Sequence, residues 1–89
     1  MEPINKKSFK SLTKTEQVVL VLKSGRELLS RDDEKFDVHL YLLKNLFVEL
    51  IYDHGNSTIL KIDTPSNDKI IQNYHLDKTQ LNQYLNDLT

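Results

Sequence analysis

FDVHLYLLKNLFVELIYD, residues 36–53, is followed directly by HGNSTILKID, residues 54–63, and these two stretches decide the fold. Both contain β-branched and aromatic residues, which fit the pleated surface of a sheet. Lys44-Asn45 interrupts the apolar run where a tight hairpin needs its turn, and we expect a type I′ turn there. HGNS has the composition of a second turn. The sequence therefore predicts a three-stranded antiparallel β-meander.

The two-residue turn fixes how the first two strands pair, because side chains alternate strictly between the faces of a sheet. Leu43 is then opposite Leu46, and Val38 is opposite Ile51. We call the two sides of the sheet the first face and the second face. The first face carries Phe36, Val38, Leu40, Leu42, Phe47 and Ile51, and the second carries His39, Tyr41, Leu43, Leu46, Val48, Leu50 and Tyr52.

The length of the second turn decides which face each residue of the third strand lies on. With a loop of four residues, Leu60 and Ile62 join the first face, while Ile59, Lys61 and Asp63 join the second. A loop shorter by one residue reverses that assignment. Both faces are apolar, whereas an antiparallel sheet with one buried side alternates apolar and polar residues. We therefore expect either that helices cover both faces or that one face awaits a partner.

A helix is predicted before the meander. Thr13 and Glu16 have the spacing of a capping box, in which each side chain binds the backbone N–H of the other residue. The apolar stripe of this helix would consist of Val18, Val21, Leu22, Leu28 and Leu29, with Gly25 allowing close approach. A strand at residues 17–22 is the alternative, because that stretch contains β-branched valines. Residues 31–35 are expected to form a charged connector.

A second helical segment is predicted after the meander. Asp77 is a typical N-cap residue, and a helix should follow over residues 78–88. Its apolar side would consist of Leu81, Tyr84, Leu85 and Leu88. Residues 69–76 fit either a helix or a short extended segment.

The chain of 89 residues is long enough for one domain. We expect a flexible basic arm over residues 1–12 and a single α+β domain over residues 13–89. That domain consists of an N-terminal helix, the three-stranded antiparallel meander and a C-terminal helical segment. The lysines of the arm and its border, Lys6, Lys7, Lys10 and Lys14, are candidates for contacts with nucleic acid or with an acidic partner.

Composition excludes some classes of function. The net charge of −1 gives no general attraction to nucleic acid or membranes, and the chain contains no cysteine. It carries no apolar leader and no stretch that could span a bilayer, so a cytoplasmic protein is expected. The abundance of Lys, Asn, Ile and Leu suggests an AT-rich bacterial or phage genome.

The sequence shows no constellation that is typical of an enzyme. The three histidines, His39, His54 and His75, lack the i, i+4 spacing of helical metal ligands. The two glycines are isolated, so there is no phosphate-binding loop and no nucleophile elbow. We therefore expect no catalytic residue, no metal and no cofactor. Glu49 is the exceptional acid, because it lies in the middle of a strand on the first face, and we expect it at a sheet edge beside a lysine.

Two resemblances bear on function. The hairpin of residues 41–53, with ILKI at 59–62 and LNQYL at 81–85, resembles small uncharacterised bacterial domains with a hairpin before a short C-terminal helix. That resemblance implies the meander and helix and no activity, although residues 68–76 depart from the pattern. The chain also resembles, in type, the phage and mobile-element inhibitors known as anti-CRISPR proteins, which implies a protein that blocks a bacterial effector.

The surplus of apolar sheet surface, together with the missing catalytic groups, predicts a non-enzymatic binding protein. An inhibitor of a bacterial defence or nuclease effector is the concrete hypothesis, with a protein or ribonucleoprotein as the partner. The predicted contact residues are Tyr41, Val48, Glu49, Tyr52 and Lys61. Direct RNA binding by the basic arm and the sheet tyrosines is one alternative. Closure of the extra apolar face in a homodimer is another.

Overall fold

In the computed structural model, which describes residues 5–86, four helices surround one sheet. The elements are α1 (Lys6–Lys10), α2 (Lys14–Ser24), β1 (Arg26–Asp33), β2 (Phe36–Leu43), β3 (Leu46–Asp53), β4 (Ile59–Asp63), α3 (Asn67–Tyr74) and α4 (Lys78–Asn86). The strands form an antiparallel sheet in the order β1-β2-β3-β4. The α+β class is confirmed, but the sheet has four strands where three were predicted.

The additional strand is β1, which occupies residues for which the sequence predicts the end of the first helix and a charged connector. Helix α2 begins at the predicted capping box, in which Thr13 Oγ1 accepts from the Glu16 N–H at 3.1 Å. The helix ends at Ser24, and the next residue, Gly25, has extended backbone dihedral angles. Leu28 and Leu29 therefore belong to a strand, and Leu22 is the last residue of the predicted stripe that lies in the helix.

The predicted pairing of the first hairpin is confirmed. Leu43 is opposite Leu46 and Val38 is opposite Ile51. The turn type is different, because Lys44 has a φ of 59° while Asn45 does not have a positive φ. A type I′ turn needs positive φ at both central residues, so that prediction is wrong.

The predicted register of the last strand is also wrong. A β-bulge between Ile51 and Tyr52 shifts the pairing of β4, so that Lys61 is opposite Ile51 and Ile62 is opposite Leu50. Residues that are directly opposite share a face. Lys61 therefore lies on the first face and Ile62 on the second, the reverse of the prediction. A bulge adds one unpaired residue, and a period-two pattern does not reveal it.

Helices pack on both faces of the sheet. On the second face, α1 and α2 contribute Phe9 and Val21 to a cluster with Leu43, Leu46, Val48 and Leu50. On the first face, α3 and α4 contribute Ile70 and Leu81 to a cluster with Leu40, Leu42 and Phe47. Helices of the chain therefore pack on both faces, which agrees with the first of the two predicted alternatives.

The predicted flexible arm is partly structured. Asn5 caps α1 through its side chain, and Phe9 is completely buried. Residues 1–4 of the predicted arm lie outside the described residues, as does Leu88 of the predicted last helix. Within residues 5–86, no helix has the length and apolarity needed to cross a membrane.

The C-terminal part contains two helices. Residues 69–76 are mostly helical, since α3 begins after its N-cap Ser66 and ends at His75, which has left-handed backbone angles. The predicted cap of the last helix is confirmed, because Asp77 Oδ1 accepts from the Gln80 N–H at 2.8 Å. Leu81 of that helix is buried against the first face.

Candidate binding surface on the second face of the sheet

The second face is covered unevenly. Near the β2–β3 turn, Leu43 and Leu46 are buried against α1 and α2. Farther from the turn, the polar and aromatic side chains of this face are only partly buried or exposed. We call them the open region, and its members are Glu27, Asp32, Asp37, His39, Tyr41 and Tyr52. His54 adjoins it from the β3–β4 turn.

An aromatic group lies at the centre of the open region. The rings of His39 and Tyr52 meet edge to face, with centroids 5.3 Å apart. Nδ1 of His39 lies 2.9 Å from Oε2 of Glu27, which fixes the orientation of the imidazole. Glu27 is also directly opposite Tyr41 in the β1–β2 pairing. Burial, followed by the negative charge of Glu27, raises the pKa of Tyr41 to about 12.

Two carboxylates and an imidazole form the outer border of the open region. Asp32 is directly opposite Asp37, and Nε2 of His54 lies 2.9 Å from Asp37 Oδ1 and 3.9 Å from Asp32 Oδ1. The His54 N–H donates to the Lys35 carbonyl at 3.1 Å, which anchors the turn against the β1–β2 hairpin. The hydrogen bond with Asp32 lowers the pKa of Asp37, and the charge of His54 adds to this effect.

The same three side chains have the composition of a metal site. One ligand atom from each of Asp32, Asp37 and His54 lies within 4.8 Å of the others. Carboxylate and imidazole groups bind divalent transition metals. All three side chains are 40% exposed or more, and ion pairing between the imidazole and the carboxylates gives the same geometry. The sequence did not predict this group, since its members meet only through the sheet register and the second turn.

The predicted contact residues are divided between the surface and the interior. Tyr41 and Tyr52 share the open region, as predicted from their positions. Val48 is 0% exposed and Glu49 is 3% exposed, so neither is available to a partner in this conformation. Lys61 lies on the opposite face because of the bulge in β3–β4 pairing. Of the five predicted contact residues, Tyr41 and Tyr52 are therefore the two that the structure brings together in the open region, and the sequence did not indicate the acids beside them.

Two of the predicted nucleic-acid contacts, Lys6 and Lys14, lie at different ends of the β2–β3 hairpin. Lys6, Lys7 and Lys10 are exposed on α1. Lys6 lines a cavity with Asn45 and Phe47, at the β2–β3 turn and hence at the other end of the hairpin from Tyr52. Lys14 Nζ donates to the Ile59 carbonyl at 2.9 Å, and Ile59 is directly opposite Tyr52, so this lysine adjoins the open region.

Glu49 is part of a polar network on the first face. The Tyr74 hydroxyl donates to Glu49 Oε2 at 2.8 Å, and Arg31 Nε lies 3.7 Å from the same oxygen. The Arg31 guanidinium also lies over the Tyr74 ring, 5.7 Å from its centroid. Burial raises the pKa of Tyr74, and its contact with Glu49 raises it further. The predicted edge position beside a lysine is wrong, because β3 is an inner strand and the cation is an arginine.

Helix α2 presents an apolar surface of its own. Val19 is 56% exposed and Leu22 is 54% exposed, and we call this pair the α2 ridge. Val19 lines a groove of about 470 Å³ together with Leu12 and Leu20. Leu22 was predicted to be buried in the helix stripe, and that prediction is wrong.

Comparisons with protein families, with curated proteins and with solved structures give no match to this chain.

Proposed function

We propose that the chain is a non-enzymatic binding protein whose open region contacts a basic segment of another protein. The observation that carries this proposal is the placement of three carboxylates around a pair of tyrosines. Glu27, Asp32 and Asp37 surround the aromatic group of the open region, and none of its members is a lysine or an arginine.

The chemistry of this surface fits basic side chains. Carboxylates accept charge-assisted hydrogen bonds from arginine and lysine, which are stronger than neutral ones. The faces of tyrosine rings attract the same cations. Tyrosine is also enriched at the energetic centres of protein interfaces. Partial exposure of Glu27, at 47%, and of Asp37, at 40%, leaves both carboxylates accessible.

The same charges give RNA binding less support. A phosphate backbone approaching Tyr41 and Tyr52 would meet the carboxylates of Glu27 and Asp37 as well as Lys14, which adjoins Tyr52. Lys6 of α1 lies at the opposite end of the hairpin. Stacking of bases on the tyrosines would therefore be opposed by more negative than positive charge, whereas phosphate contacts usually accompany such stacking.

An acidic contact surface agrees with the predicted role as an inhibitor of a bacterial defence or nuclease effector of anti-CRISPR type. Proteins that handle nucleic acid hold it in positively charged channels. A small protein with clustered carboxylates can occupy such a channel in place of phosphates. That inhibitory role stays a prediction.

A defined basic probe tests the proposal. Isothermal titration of the full chain with a peptide of alternating Arg and Gly residues should give a measurable affinity. Tyr52→Ala and Asp37→Asn should each weaken it about thirtyfold, which corresponds to the roughly 2 kcal/mol of an interface hot spot. Tyr84→Ala is the matched control, because Tyr84 lies on α4. Equal affinities of all three variants and the wild type would contradict the proposal.

Self-association is a second candidate, and the α2 ridge is the observation that favours it. Large exposed aliphatic side chains at i and i+3 on one helix can pair with the same surface of a second copy. Light scattering across a dilution series should then show a dimer that the double change Val19→Lys and Leu22→Lys abolishes. A monomer at all concentrations would contradict this candidate.

A further inference from the structure

A polar cavity lies between α3 and the first face of the sheet. Its volume is about 440 Å³, and its walls include Arg31, Glu49, Asp63, Thr64 and Lys69. The residues come from β1, β3, β4, α3 and the segment that joins β4 to α3. The open region lies on the other face, so this cavity is separate from the proposed protein contact.

Two of the residues that line the cavity carry a buried polar atom without a hydrogen-bond partner among residues 5–86. Thr64 is only 8% exposed, and its Oγ1 is buried without a partner. Arg31 Nε is also buried without a hydrogen bond, since Glu49 lies at the longer distance of 3.7 Å. Buried polar groups are nearly always satisfied, and an exception indicates a missing water, ion or ligand. The Arg31 Nε–H can only donate and the Thr64 hydroxyl is able to donate, so one accepting group could satisfy both.

The residues that line the cavity include two basic and two acidic side chains. Glu49 is directly opposite Asp63 in the β3–β4 pairing, which places two carboxylates on one side. Arg31 and Lys69 supply two positive charges from β1 and α3. A simple anion would be repelled by Asp63, and a simple cation by Lys69. A molecule that carries both charges can pair with lining residues of both signs.

We propose that this cavity binds a small zwitterion of the α-amino-acid type. The ligand carboxylate accepts from the Thr64 hydroxyl and is attracted by Arg31 and Lys69. The ligand ammonium pairs with Asp63. The remaining volume holds the side chain of the ligand against Ile51 and Pro65, which are the apolar part of the lining.

Amide NMR spectra of the full chain, titrated with each standard amino acid, test the proposal. At least one amino acid at millimolar concentration should shift the signals of Thr64 and Lys69 in a saturable way, while acetate and methylamine should not. Thr64→Val and Asp63→Asn should each weaken that binding about tenfold, the usual effect of losing one hydrogen bond to a charged group. Thr79→Val, on exposed α4 surface, is the matched control and should bind as the wild type does.

A stability measurement separates binding from structure. Thr64→Val removes a buried hydroxyl without a partner, so thermal stability should be unchanged or higher, even though the ligand is bound more weakly. If that variant fails to fold, the affinity of Asp63→Asn decides the question. The proposal is overturned if no amino acid gives saturable shifts, if both cavity variants bind as the wild type does, or if acetate binds equally well.

Discussion

The hydroxyl of Tyr74 donates a 2.8 Å hydrogen bond to Glu49, a carboxylate in the middle of β3 that is 3% exposed. This bond ties α3 to the inner part of the sheet across 25 residues of sequence. Together with Arg31, this bond compensates the burial of the Glu49 carboxylate. The neighbouring side chains of Leu40 and Ile51 are apolar and offer it no partner.

Tyr74→Phe should therefore destabilise the fold by about 1–2 kcal/mol, because it leaves a buried carboxylate with one partner fewer. Denaturant unfolding followed by circular dichroism measures the change. Tyr84→Phe is the matched control on the neighbouring helix and should have a smaller effect. Equal stability of the wild type and Tyr74→Phe would show that the bond contributes nothing.

The titration of Tyr41 should be displaced to high pH. Its pKa in the fold is about 12 against an ordinary value of 10.0, mainly because of burial and then because of Glu27. The folded state favours the neutral phenol of Tyr41, so the shift in pKa stabilises the fold while the phenol is neutral. This stabilisation is complete below pH 10.0 and is lost as the pH rises towards about 12.

The absorbance of tyrosinate measures this pKa. Subtracting the titration of Tyr41→Phe from that of the wild type should leave a curve with its midpoint near 12. Glu27→Gln should move the midpoint down, because it removes a neighbouring negative charge. A midpoint near the ordinary value in the wild type would contradict the position of Tyr41 beside Glu27.

A side chain at Gly25 should lower the stability of the fold. A Cβ there would lie 2.6 Å from the Val21 carbonyl oxygen, the same oxygen that accepts from the Gly25 N–H at 2.8 Å. Gly25→Ala should cost about 1–3 kcal/mol, the range of changes that force a backbone shift.

Gly55→Ala is the control for that change, because its Cβ would meet only the Asp53 carboxylate at 3.2 Å. That variant should remain within about 0.5 kcal/mol of the wild type. Thermal unfolding of both variants measures the contrast. Equal losses of thermal stability in Gly25→Ala and Gly55→Ala would contradict the close contact between Gly25 and Val21.

Phe9 should be a core residue rather than part of a mobile arm. It is 0% exposed in a cluster with Val21 and Leu50, so Phe9→Ala should destabilise the fold by about 3–5 kcal/mol. Lys10→Ala, on the exposed side of the same helix, should change stability by less than about 0.5 kcal/mol. Chemical denaturation of the two variants distinguishes a packed helix from an arm, for which both changes would be neutral.

The parts of the fold that the sequence predicted have strong local signals. The capping box of Thr13 and Glu16, the Asp77 cap and the pairing of the first hairpin are each specified by residues close in sequence. Strand β1 has no such signal. Its sequence, RELLSRDD, is mostly polar, and it becomes a strand because β2 offers an edge for pairing.

The candidate site was less predictable because its contacts join residues that are distant in sequence and have no local signal. Tyr41 and Tyr52 could be assigned to one face from the hairpin alone. The contacts of Glu27 with His39 and of Asp37 with His54 depend on the position of β1 and on the second turn. The burial of Glu49 depends on Arg31 and Tyr74, which are distant from it in sequence, so no local pattern indicated it.

The contact proposed for the open region is tested most directly by mapping two probes on the same sample. Amide NMR spectra of the full chain are recorded with an Arg-rich peptide and, separately, with a single-stranded RNA of equal length. We predict that the peptide shifts the signals of His39, Tyr41 and Tyr52, and that the RNA leaves them unchanged. Shifts of these three signals with the RNA, and none with the peptide, would contradict the proposed function.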